Sequence, residues 1–254
     1  MLIDTHCHLD AAEFDTDRDA VAARARAAGV GAVVVPGVER AGFEAVLAVC
    51  RRHPGYAPAL GIHPLYVDRA DPADLEALRA AVVHHHPVAI GEIGLDFFVP
   101  DYDRERQEFY FAEQLKIARE FDLPVLLHIR RAQDAVLKFL RRFKVAGGIA
   151  HAFNGSRQQA EEFIKLGFKL GFGGAMTWPR ATRLRELATD LPLSAIVLET
   201  DAPDMPPVFV GKERNSPEYL PRIAAVLAEL RGIGMDEVAS ATTANARAVL
   251  KGLA

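Results

Sequence analysis

Apolar and polar positions fall in alternating blocks along this chain. Short apolar runs rich in Val, Ile, Leu and Ala lie at residues 2–3, 32–35, 56–60, 88–90, 124–127, 148–150, 168–172 and 195–198. Between them lie longer stretches with apolar residues at helical spacing, at 15–28, 41–52, 71–85, 103–121, 133–143, 157–166 and 180–188, with a closing pair at 217–231 and 235–250. The short runs predict buried strands and the longer stretches predict amphipathic helices. Gly29, Pro36-Gly37 and Pro54-Gly55 punctuate the boundaries, and Asp71-Pro72 reads as a helix cap followed by a first-turn proline.

Eight strands, each followed by a helix, argue for a parallel sheet. At this length the pattern predicts an α/β fold, a (β/α)8 barrel forming a single domain over residues 1–254. An open, doubly wound sheet is the alternative, but its ligand crevice is served by only a few strand ends. Here candidate ligands follow strands one, three, four, five, six and eight, which is easier to satisfy on a ring. The chain has no internal repeat or low-complexity segment. Its Pro-rich stretch at 202–216 is expected to be a loop beside the mouth of the barrel.

Composition narrows the function. At 254 residues and 50% hydrophobic, the chain can bury a sizeable core. A net charge of −4 argues against a general polyanion-binding face. It leaves room for a local phosphate site in which a metal supplies positive charge. Two cysteines, Cys7 and Cys50, make no disulfide framework and fit a reducing compartment. No signal-like N-terminal region is evident, and no apolar run approaches the roughly 18 residues of a spanning helix. A cytoplasmic protein is expected, with no membrane partner and no obligate protein partner evident.

The chemistry sits where the strands stop. His6 and His8 follow the first strand, and residues two apart on extended chain share a side. They are expected to project together, with Cys7 turned into the core. His63 follows strand three, Glu92 strand four, His128 strand five, His151 strand six, and Glu199 and Asp201 strand eight. Catalytic groups of such barrels gather at the C-terminal strand ends. The four imidazoles of His6, His8, His128 and His151, with the carboxylates of Glu92 and Asp201, exceed a single zinc-type site of three protein ligands and a water. They suit two divalent metals bridged by Glu92, with His6, His8 and Asp201 on one and His128 and His151 on the other. Two metals can clamp the attacking and leaving oxygens of a phosphoryl transfer. Histidine-rich ligation favours Zn or Mn over Mg.

Several segments carry a resemblance that spans the chain in order. They are Asp4-Thr-His-Cys-His-Leu-Asp10, Gly61-Ile-His-Pro64, Gly91-Glu-Ile-Gly-Leu-Asp96, His128, His151-Ala-Phe-Asn-Gly155, Glu199-Thr-Asp-Ala-Pro203 and Gly211-Lys-Glu-Arg-Asn-Ser-Pro217. The sequence resembles the TatD family of metal-dependent hydrolases, within the wider amidohydrolase group of barrels. That resemblance implies a two-metal centre built from the six residues above. It also implies metal-dependent phosphodiester hydrolysis on DNA, with single strands or ends as the expected substrate. Many amidohydrolase relatives bridge their metals with a carboxylated lysine, whereas Glu92 holds that position here. Hydrolysis of an amide, ester or lactone of a small molecule is the rival activity, because one such centre can activate water for either.

Within this reading Asp201 is the candidate general base and Glu92 the bridge. His63, Arg130 and Arg214 are candidate substrate contacts, since guanidinium matches phosphate bidentately. Arg131, Arg141, Arg142 and Lys144 are expected on a solvated face. The His84-His85-His86 tract precedes strand four, at the opposite end of the barrel, and is expected on the surface. Trp178 and Phe98 can stack on a base, but packing is the favoured role for both.

Overall fold

The protein is described here from a computed structural model covering residues 1–253. Eight strands run in the order of the sequence, every neighbouring pair parallel. They are β1 (Leu2–Asp4), β2 (Val30–Pro36), β3 (Tyr56–Leu60), β4 (Ala89–Asp96), β5 (Val125–Arg130), β6 (Gly148–Ala150), β7 (Phe168–Phe172) and β8 (Ile196–Leu198). Helices α1 (Arg18–Ala27), α2 (Phe43–Arg52), α3 (Pro72–His85), α4 (Arg104–Glu120), α5 (Gln133–Phe143), α6 (Arg157–Lys165) and α7 (Thr182–Asp190) follow the first seven strands. Helices α8 (Leu220–Arg231) and α9 (Met235–Val249) complete the chain. The expected (β/α)8 barrel is the observed fold. Among the described residues no helix is long and apolar enough to cross a membrane.

Most of the predicted elements recur within a few residues, and the local chemistry explains their ends. Asp71 caps α3, accepting the Ala73 N–H at 2.8 Å, with Pro72 at the first helical position. Ser156 and Gln159 form a reciprocal capping box at α6. The first helix starts at Arg18 rather than near Asp15, after a short 3-10 turn at Ala12–Phe14, and the Arg18 side chain turns back onto the carbonyls of Leu9, Asp10 and Ala11. It thereby ties down the loop that carries His6 and His8.

Two corrections matter for the site. β4 extends through Asp96 and β5 through Arg130, so Glu92 and His128 lie inside strands rather than just past them. β1 ends at Asp4, so His6 and His8 lie in the turn that follows. That turn is set by the Asp4 carboxylate, which accepts the His6 N–H at 3.2 Å.

The core has two layers. A large shell joins the outer faces of the strands to the helices. A smaller cluster fills the barrel interior with Ile3, Val34, Ala59, Leu126, Ile149 and Val197, closed from below by Ala246, Val249 and Leu250 on and after α9. Side chains facing the interior alternate along each strand. The seam between β8 and β1 is held by side-chain and backbone bonds together. Asp4 accepts the Thr200 hydroxyl at 2.6 Å and the Thr200 N–H at 3.0 Å, and the Thr5 N–H meets Leu198 O at 3.1 Å.

Gly94 shows how closely β4 and β5 approach. It has φ of +149°, and a Cβ there would stand 1.9 Å from His128 O. Only glycine fits both the conformation and the space. Gly94→Ala is expected to lower stability by roughly 3 kcal/mol through combined strain and overpacking. Urea unfolding followed by circular dichroism checks this, and an unchanged midpoint would contradict it.

Candidate metal centre

The interior alternation, carried upward, delivers most of the site. On β5 it runs from Leu126 to His128 to Arg130. Above β6 it runs from Ile149 to His151, above β8 from Val197 to Glu199 and Asp201, and above β3 from Ala59 to His63. Glu92 breaks this parity, since Ala89 is the interior residue of β4. The register explains it: Ile90 faces Val125 and Ile93 faces Leu127, so Gly91 and Glu92 together oppose Leu126. One extra residue makes a bulge, which re-aims a side chain. Glu92 is thereby turned into the mouth.

Its carboxylate is the centre of the arrangement. Oε2 lies 3.1 Å from His6 Nε2 and 3.4 Å from His8 Nε2. Oε1 lies 3.0 Å from His128 Nδ1, 3.1 Å from His151 Nε2 and 3.5 Å from His63 Nε2. Asp201 Oδ1 approaches His6 Nε2 at 3.7 Å and His8 Nε2 at 3.8 Å. Glu92 is 2% exposed. Burial works against its charge, but the surrounding imidazoles, His6 and His151 foremost, with the His128 hydrogen bond, hold its pKa well below the usual carboxylate range.

These side chains are suited to a cation. The Nε2 atoms of His6 and His8 stand 3.2 Å apart, and the ring of His6 stacks on His151 at 3.9 Å. Imidazole nitrogens packed this tightly cannot all carry protons, and their lone pairs converge. Three groups of potential ligand atoms lie within 4.8 Å of one another: His6, His8 and Asp201; His6, Glu92 and His151; and His63, Glu92 and His128.

His63 differs from the other imidazoles. Its Nδ1 accepts the Leu65 N–H at 3.1 Å. Burial, then the nearby His128, keeps its pKa well below the ordinary value, so the ring is neutral. A neutral ring that accepts at Nδ1 carries its proton on Nε2, the atom facing Glu92. In this state His63 is a donor toward the centre rather than a ligand.

An outer set of carboxylates orients the inner one. Asp96 Oδ2 meets His128 Nε2 at 3.0 Å, leaving Nδ1 for the centre. Glu199 Oε1 accepts the Ala152 N–H at 2.5 Å and lies 3.6 Å from His151 Nδ1. Such partners fix ring orientation and tautomer in metal sites. Sequence reasoning assigned neither residue a role. For Glu199 the signal was its place two residues before Asp201, on the same face.

The centre opens into a cleft of about 1260 Å³. His63, Arg130 and Phe98 line it, as does Arg131, which was expected on a solvated face. Arg214 is placed elsewhere. Its guanidinium makes a bidentate pair with Asp17 at 2.7 and 2.9 Å and lies over the Phe14 ring, so the residue expected to contact phosphate is here paired with a carboxylate. Trp178 packs as favoured, half-buried, with its indole N–H on Pro206 O at 3.1 Å. His84 and His86 are exposed at the end of α3, and Cys7 is buried in the core. The 202–216 stretch is the expected loop beside the mouth: Asn215 ties it down by donating to Thr200 O and Asp204 O, both at 2.8 Å.

A (β/α)8 barrel with imidazoles and carboxylates converging at its C-terminal strand ends has the layout of a metal-dependent hydrolase. The family described as TatD related DNase matches residues 3–251. The metal-dependent hydrolase YjjV of Escherichia coli K12 is 44% identical over 246 residues, covering 96% of this chain and 95% of that protein. Its crystal structure superposes with a TM-score of 0.95, over 98% of each chain. A Klebsiella pneumoniae protein named 3'-5' ssDNA/RNA exonuclease TatD is 35% identical over 253 residues, covering 97% of this chain and 96% of that one. The chain belongs to the TatD family of metal-dependent hydrolases.

Glu92→Ala is expected to weaken metal binding at least about tenfold, since even outer-shell partners of ligands are worth that much. Elemental analysis after equilibrium dialysis measures it, and an unchanged metal content would remove Glu92 from the centre.

Proposed function

We propose that this protein is a deoxyribonuclease that hydrolyses phosphodiester bonds of DNA, in single strands or at ends, with two divalent ions held on Glu92. The observation that carries this reading is the split environment of that carboxylate. One oxygen faces His6 and His8, while the other faces His128 and His151. Asp201 completes the first set. The imidazole-rich ligands favour Zn or Mn over Mg. Bound there, such ions would lower the pKa of water and offset charge on a phosphate. The likeness to an exonuclease of single-stranded DNA and RNA supports a nucleic-acid substrate.

The chain's own residues supply the remaining chemistry. Asp201 is the general base. Its backbone N–H is fixed to His6 O at 2.8 Å, and its carboxylate is 15% exposed at the floor of the cleft. His63 offers its Nε2–H to a phosphate oxygen, and Arg130 adds positive charge to the same cleft. A cleft of about 1260 Å³ favours an extended substrate over a small amide or lactone, because small-molecule sites span roughly 300–1,000 Å³.

Turnover of a single-stranded oligonucleotide, a nitrophenyl phosphodiester and a set of amides, each with Mg²⁺, Mn²⁺ or Zn²⁺, tests the reading. Cleavage confined to phosphoesters is expected, and turnover of amides alone would overturn it. Two substitutions test the roles. Asp201 has φ of +57°, a conformation asparagine tolerates. Asp201→Asn should therefore keep the fold and most of the metal while kcat falls about 10²-fold, the scale of general-base loss. Wild-type kcat at normal metal content would exclude that role. His63→Ala should also keep the metal, with kcat/KM on phosphodiesters falling about 10²-fold, as for a lost transition-state donor. Loss of metal in that variant would instead make His63 a ligand.

A further inference from the structure

Phe98 is an unusual surface residue. It is 43% exposed, yet it lies in the wall of the cleft rather than on the outer surface. The guanidinium carbon of Arg130 lies 3.7 Å from its ring centroid and that of Arg131 lies 4.6 Å away. Consecutive residues on a strand point to opposite sides. Arg131 instead adopts φ of +54°, just past the end of β5, and both side chains reach one ring. Among the described residues neither guanidinium has a carboxylate partner, so both charges remain available to an anion.

The ring is also tied to the centre. Asp96 accepts the Phe98 N–H at 2.9 Å with one oxygen and meets His128 Nε2 at 3.0 Å with the other. Two hydrogen bonds through one carboxylate thus fix the Phe98 backbone beside a candidate ligand. Other parts of the cleft carry the opposite charge, from Asp10, Glu13 and Asp204. An anionic strand is drawn toward the β4–β5 wall and repelled from the acidic one.

We infer that Phe98, Arg130 and Arg131 form a nucleotide subsite adjoining the cleavage point. The open part of the ring stacks an unpaired base, and the guanidinium groups hold the neighbouring phosphate. Stacking on an aromatic ring needs a base free of its duplex partner and accepts any base. The inference rests on the reading of the chain as a DNA hydrolase, and assigns its preference for unpaired strand to a specific wall of the cleft.

A double-mutant cycle between protein and substrate tests it. KM is measured for wild type and Phe98→Ala on a single-stranded oligonucleotide and on versions abasic at each position flanking the cleaved bond. Metal content is measured on the same preparations as a check of folding. Phe98→Ala should raise KM about tenfold on the intact strand, the scale of one lost base–aromatic stack. One abasic position should cost wild type a similar factor. The two losses should not add, and Phe98→Tyr should restore the wild-type KM. Full additivity at every position, or an unchanged KM in Phe98→Ala, overturns the subsite and leaves the nuclease reading standing. Failure of the wild type to cut any oligonucleotide while hydrolysing an amide overturns both.

Discussion

One buried carboxylate, Glu92, surrounded by imidazoles, is the constraint on which the rest of this structure turns. A charge with 2% exposure is costly unless it is closely partnered. Five histidines from four places in the chain supply the partners, and a closed ring of strands brings them within 3.5 Å of its oxygens. The bulge at Gly91-Glu92 aims the carboxylate, and Gly94 lets β5 come close enough for His128 to meet it. Asp96 then holds the His128 ring from behind, and Glu199 stands behind His151. The barrel is therefore built to satisfy this cluster as much as to fill its own interior with Ile, Val, Leu and Ala.

Much of this was legible in the chain because alternation on a strand is a rigid rule. Once Leu126, Ile149 and Val197 are taken as interior residues, His128, His151 and Asp201 follow by counting in twos. Glu92 and the His6–His8 pair were legible only as residue types in motifs, because their aim depends on irregularities. A bulge and an Asp-stabilised turn each shift the parity by one, and neither leaves an apolar pattern. The strand through Gly91-Glu-Ile-Gly-Leu-Asp96 runs longer than its apolar pattern suggests, since Glu92, Gly94 and Asp96 interrupt the core residues Ile93 and Leu95.

Partners distant in sequence were the least legible. Arg214 lies in a Pro-rich loop that borders the mouth, and nothing local reveals that Asp17, 197 positions away, takes its charge. Arg131 looks like one basic residue among several until its left-handed backbone turns it toward Phe98. The tautomer of His63 likewise depends on a single backbone N–H, that of Leu65. Such features belong to the three-dimensional packing, and residue type alone does not encode them.

The seam held by Asp4 and Thr200 has a consequence for how the protein comes into being. These residues are separated by 196 positions, and their contact joins the two extremities of the fold. Synthesis delivers His6 and His8 first, whereas Thr200 and Asp201 emerge only after most of the chain has left the ribosome. A nascent chain can pair its early strands in order, because each neighbour is the next to be made. Its chemistry must wait, since the first histidines have no carboxylate across the seam until β8 arrives. The order of translation thus keeps the growing chain from bringing these imidazoles and carboxylates together until the ring that shields them can close.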